Sequence, residues 1–154
     1  MDNTLSDFFY GFQTFFWINH GWKYFVEVGN RRIFSPKSLC KRLEAFFSGT
    51  SRQHHAEEER SVFPPLLSSG NTELANAVRT LQQDHGWIEE NWIELAPRLR
   101  AIALGNGWTD PTEFQNYVEV FTELMDGHIA LEETLIYPES KDRWAQAVSM
   151  RRSP

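Results

Sequence analysis

Residues 71–104 read NTELANAVRTLQQDHGWIEENWIELAPRLRAIAL. Leu74, Val78, Leu81, His85, Ile88, Trp92, Leu95, Leu99 and Ile102 recur there at alternating steps of four and three, the spacing that keeps side chains on one face of an α-helix. Asn71 or Thr72 opens the segment as N-cap, Gly105-Asn106-Gly107 closes it, and Pro97 is expected to kink it. An apolar seam of this length must be covered by other elements, and the flanking sequence carries three more of the same period.

Upstream, Ser35-Pro36 is a cap followed by proline at the first helical position. From it the stripe Leu39, Leu43, Phe46/Phe47, Thr50, His54, Glu58, Val62 runs to about Leu66, before Ser68-Ser69-Gly70. A first helix is expected from about Ser6 to Val28, with Phe9, Phe12, Phe16, His20, Tyr24 and Val28 on its stripe and Gly29-Asn30 as its stop. Downstream, Asp110-Pro111-Thr112-Glu113 is a capping box for a fourth helix bearing Phe114, Tyr117/Val118, Phe121, Met125, His128, Glu132 and Leu135 and stopping at Pro138. The tail from Asp142 to about Met150 adds a short C-terminal helix. No stretch alternates with period two, so the chain reads as all-α: an up-down-up-down four-helix bundle, one domain over residues 1–154 with its functional core over about 7–138.

Composition narrows the function. At 154 residues, 41% hydrophobic, the chain suits a single core. Fifteen Lys+Arg against 21 Asp+Glu give a net charge of −6, with no basic block beyond Arg31-Arg32 and Arg151-Arg152, which argues against nucleic acid as a partner. The single Cys40 excludes an internal disulfide and cysteine-based zinc ribbons. Gln13, Asn19 and His20 interrupt the aromatic N-terminal run, so neither a membrane span nor a signal peptide is expected, and with the lone thiol this points to the cytoplasm.

Each of the four seams carries a histidine where an apolar residue is due: His20, His54, His85 and His128. One such histidine is ordinarily a satisfied core residue. Three of these four, however, precede a glutamate by four positions, in the pairs His54/Glu58, His85/Glu89 and His128/Glu132. With Glu at 15 of 154 positions, each pairing has a chance of about one in ten. Residues i and i+4 share a helix face, so each pair can offer an imidazole nitrogen and a carboxylate oxygen to one centre. Unpaired carboxylates on stripes of Leu, Phe and Val would be costly. In antiparallel helices His54, His85 and His128 also fall at similar heights, within a few ångströms at roughly 1.5 Å per residue, whereas His20 fits less well. Register favours His54 over His55, since stepping back from His55 meets Ser51, Ser48, Glu44 and Cys40. His55, Glu57 and Glu59 are therefore expected beside the ligands rather than among them.

The chain also repeats itself. His54-His-Ala-Glu-Glu58-Glu-Arg-Ser-Val62-Phe63-Pro64 matches His128-Ile-Ala-Leu-Glu132-Glu-Thr-Leu-Ile136-Tyr137-Pro138 as H-x-x-x-E-E-x-x-apolar-aromatic-Pro. A His and a carboxylate from each of two facing helices suit two metal ions bridged by the carboxylates.

At these residues the sequence resembles the hemerythrin-like, HHE cation-binding family. HHAEEERSVFP and HIALEETLIYP, with a histidine on each remaining helix, span His20 to Pro138. The resemblance implies a four-helix bundle with a non-haem di-iron centre. His54 and His128 would be terminal ligands, Glu58 and Glu132 the bridging carboxylates, and His85 and His20 the histidines of the third and first helices. Oxygen-carrying hemerythrins have a second histidine one turn after the third-helix ligand, where this chain has Glu89. That exchange shifts the ligand set toward carboxylate and favours ferric iron.

The expected cofactor is two iron ions, Fe2+/Fe3+, oxo- or hydroxo-bridged, with zinc as a substitute. The expected function is binding of dioxygen, peroxide or nitric oxide for sensing, storage or detoxification, in a dry pocket of Phe47, Phe121, Leu81 and Ile88. The alternatives are an oxidase- or peroxidase-type enzyme, in which Tyr24 or Tyr117 beside the site gives an electron or proton, and a metal-binding bundle without redox activity. Tyr10, Trp17 and Trp22 leave apolar area off the first stripe, so a homodimer through that helix is expected.

Overall fold

The computed structural model describes residues 36–105 and 110–152, and among them every regular element is helical. The first run comprises α1 (Pro36–Ala45), a π turn (Phe46–Ser51), α2 (Arg52–Glu57), a second π turn (Glu58–Val62) and α3 (Phe63–Leu67). Next comes α4 (Thr72–Leu104). The last run is α5 (Pro111–Leu131), a third π turn (Glu132–Ile136) and α6 (Tyr137–Arg152). The expected first helix, with His20, Tyr24 and the aromatic dimer face, lies outside the described residues. No helix among the described residues is long and apolar enough to cross a membrane.

The caps follow the sequence signals. Asn71 Oδ1 accepts from the backbone N–H groups of Glu73 and Leu74 at the start of α4. Asp110 Oδ1 accepts from those of Thr112 (2.8 Å) and Glu113 (3.0 Å), and Pro111 takes the first helical position of α5. After α3 and α4 the chain turns at Gly70 and Gly105, both at positive φ, where a Cβ would be strained.

The π turns shift the register. In the first run the buried residue after Phe47 is Ser51, while Thr50 is exposed. In the last run Ile136 is fully buried, and Leu135, expected on the stripe, is half-buried. The second and third π turns also close one residue ahead of a proline, with the Phe63 N–H reaching the Glu58 carbonyl and the Tyr137 N–H reaching that of Glu132. A proline ring clashes with the carbonyl four residues back in a regular α-helix, and the wider turn relieves that clash. The expected stop at Pro138 therefore does not occur, and the tail is a 16-residue helix continuous with the third π turn.

The described chain packs as two compact units, one of residues 36–54 and 99–105 and the other of 55–98 and 110–152. In the first, Cys40, Phe47, Ser51 and Leu99 are buried, and Glu44 receives Arg100 at 2.9 Å and the Ser48 hydroxyl at 3.1 Å. In the second, Val62, Phe63, Leu66, Leu74, Val78, Leu81, Ile88, Trp92, Phe121, Met125 and Ile136 form the core. At one edge of that unit Arg98 lies 3.9 Å over the Tyr117 ring and bonds Glu113 at 3.1 Å, tying α4 to α5.

Asp110→Ala removes an acceptor that serves two backbone donors. It is expected to lower stability by about 1 kcal/mol, read as a lower urea midpoint; an unchanged midpoint would show that α5 does not depend on this cap.

Candidate metal centre

The two carboxylates of the internal repeat, Glu58 and Glu132, are each the first residue of a π turn and each fully buried. His128 precedes Glu132 by one turn of α5, α4 contributes His85, and α2 contributes His55. Two groups of donors result: Glu58, His85, His128 and Glu132 in one, and His55, His85 and His128 in the other. Within each group one ligand atom per residue lies within 4.8 Å of all the others.

The imidazole rings are packed against one another. His55 stacks on His85 with centroids 4.2 Å apart, the Phe63 ring lies 5.6 Å from His85 at a similar tilt, and His128 stands 5.0 Å from His85. Glu59 Oε1 lies 3.0 Å from His85 Nδ1, and Glu59 Oε2 accepts from the Gln82 amide at 2.7 Å. An ionised carboxylate only accepts, so Nδ1 carries the proton and a neutral His85 has its lone pair on Nε2. That atom faces Glu58 Oε2 at 3.4 Å. In the same way His128 Nε2 faces Glu132 Oε1 at 3.1 Å.

Buried lone pairs that face carboxylate oxygens repel unless a proton or a cation lies between them. His85 Nε2 and both ring nitrogens of His128 are buried and make no hydrogen bond of acceptable geometry among the described residues. Two donors each about 2.1 Å from one ion stand about 3.0 Å apart at a right angle and about 3.4 Å apart at the tetrahedral angle. The observed separations match that range, and a set of nitrogen and oxygen donors suits a first-row divalent metal. These residues fit a cation.

Electrostatics point the same way. Burial, and then the charge of Glu58, raise the pKa of Glu132 from 4.5 to about 8 against the pull of His128. Burial opposes charge on His128, yet Asp84, Glu132 and Glu58 outweigh it and lift its pKa from 6.5 to about 9. Both shifts mark a site that favours positive charge among its carboxylates and imidazoles.

The structure brings Glu58, His85, His128 and Glu132 together. His54 and Glu89 are half-buried and belong to neither group. With Ser51, the last residue of the first π turn, buried rather than Thr50, the residue one α-turn further on is His55, and it is His55 that joins His85 and His128. Glu57 is engaged by Arg60 and by the Ser61 hydroxyl. Tyr117 lies beneath Arg98, while His20 and Tyr24 lie outside the described residues.

Three participants escaped the sequence reading. Tyr137 is buried and donates its hydroxyl to Glu58 Oε1 at 3.0 Å. Its signal was the aromatic position of the repeat, where Phe63 stands in the first copy. Buried Asp84 has Oδ2 3.8 Å from His128 Nδ1, and the helical steps from Leu81 to Asp84 to Ile88 could have disclosed it. Gln82, on the exposed side of α4, had no such signal.

The family model described as the hemerythrin HHE cation binding domain matches residues 26–140. No curated protein and no solved structure gives a significant match.

Glu132 and His128 both hold their protons more tightly folded than unfolded, so their contribution to stability is present at low pH and lost as pH rises through the folded values. The melting temperature of chelator-treated protein is expected to fall between about pH 5 and pH 9 as Glu132 and then His128 deprotonate. A melting temperature that climbs steadily across this window would contradict the assignment.

Proposed function

The chain belongs to the hemerythrin HHE cation-binding domain family, and from that premise we propose that it is a non-haem di-iron protein that binds dioxygen, peroxide or nitric oxide for sensing, storage or detoxification in the cytoplasm. The observation that carries this reading is the pair of buried contacts in which His85 Nε2 meets Glu58 Oε2 and His128 Nε2 meets Glu132 Oε1.

Glu58, His85, His128 and Glu132 would hold the metal, with His55 as a further nitrogen donor. The proposal takes the whole chain as one four-helix domain, in which His20 on the first helix completes the ligand set. Iron bound there would supply a ferrous/ferric couple and an exchangeable position for a small ligand, whereas zinc would supply no redox couple.

The chain's own residues prepare that chemistry in three ways. Glu59, braced by Gln82, holds the His85 Nδ1 proton and keeps Nε2 available as a donor. Phe63 against His85, with buried Leu81, Ile88 and Phe121, keeps water and stray protons from the donors. The carboxylates offset the charge of a bound ion and so favour the oxidised metal.

Protein from iron-supplied cells is expected to contain about two irons per chain and to show charge-transfer absorption that changes when the anaerobically reduced form meets air. Glu58→Ala and His128→Ala should each lose most of the iron while remaining helical. Zinc alone, or no metal, in the wild-type protein would remove the di-iron reading. Sustained turnover of peroxide would move the function to a peroxidase-type enzyme.

A further inference from the structure

Among the positions at which the two copies of the repeat differ, one carries an aromatic ring in each copy, beside the candidate metal centre. In the first copy the aromatic residue is Phe63, whose ring lies along His85. In the second it is Tyr137, whose hydroxyl donates to Glu58 Oε1 across 79 residues of sequence. The tyrosine follows the third π turn directly, and the glutamate begins the second. Tyr137 is 5% exposed, so water does not compete for this bond. The other oxygen, Oε2, is the one that faces His85 Nε2 at 3.4 Å.

We infer that Tyr137 is a positioning residue of the metal centre: by holding Oε1 of Glu58 it fixes the carboxylate plane and presents Oε2 to the cation beside His85. The inference rests on the metal-site reading above. A carboxylate free to turn would lose rotational freedom when it meets the metal, and this hydrogen bond spends that freedom before the metal arrives. The phenol also draws charge from Oε1, which leaves Oε2 the stronger electron donor of the two oxygens.

Tyr137→Phe keeps the ring and removes only the donor. Zinc, which is redox-silent, serves as the probe, with its affinity read by competition against a chromophoric chelator. The variant is expected to bind zinc about tenfold or more weakly. Val78→Ala, in the core on α4 and away from the cluster, is the control for general destabilisation and should keep the wild-type affinity. An affinity for Tyr137→Phe within about threefold of wild type overturns the inference alone. A wild-type protein that takes up no zinc and no iron overturns both the inference and the metal-site reading beneath it.

A measurement on the wild-type protein covers the case in which the variant fails to fold. Zinc draws charge from Glu58, weakens Oε1 as an acceptor, and should shift the tyrosine ultraviolet difference spectrum as it binds. Zinc binding with a silent tyrosine spectrum also overturns the inference.

Discussion

Two carboxyl groups buried in one place constrain this structure more than anything else in it. Glu58 and Glu132 have no solvent exposure, and a carboxylate without water or a partner is costly by several kcal/mol. The surroundings answer that cost. His85 and His128 face the carboxylates, Tyr137 donates to one of them, and burial with the charge of Glu58 raises the pKa of Glu132 while the neighbouring carboxylates raise that of His128 against the cost of burial. A divalent ion would release those protons and supply the charge more compactly. The apolar seams of α4 and α5 provide the enclosure in which these charges matter.

The π turns give the repeat its mechanical sense. The second and third each begin at a buried glutamate and end at a buried aliphatic residue, Val62 or Ile136. The extra backbone width keeps Glu and aliphatic residue both on the inner side, and accommodates the proline that follows. A motif that looked like a helix stop is a helix that has been re-phased, and the phase serves the site.

Much of this was legible in the residues themselves. The seam from Leu74 to Ile102, the Asp110 cap, and the placing of Glu58, His85, His128 and Glu132 on inward stripes all follow from helical period and capping chemistry. A uniform helical period does not hold through the π turns. A strict α-helical count carries Phe47 to Thr50 and His54, but burial moves to Ser51, and His55 stands with His85 and His128. Polarity misled at that step, because Ser51 and Cys40 were counted as surface residues and both are buried. Tyr137 was passed over for a related reason: in the repeat it looked like a core aromatic, and only the structure shows where its hydroxyl ends.

The two copies of the repeat therefore differ in the donors they offer, Glu58 and His55 from the first and Glu132 and His128 from the second, and in what holds them. His85 has its Nδ1 proton on Glu59, itself braced by Gln82, and lies between the rings of His55 and Phe63. His128 has Asp84 at 3.8 Å, beyond the reach of a hydrogen bond. Glu58 and His85 are thus each held by a hydrogen bond, from Tyr137 on one and with Glu59 on the other, whereas His128 is held by burial among the rings of His55 and His85 and by Glu132. Glu59 and Tyr137 both stand at positions of the shared motif, so the repeat that supplies the two buried carboxylates also supplies the groups that orient Glu58 and His85.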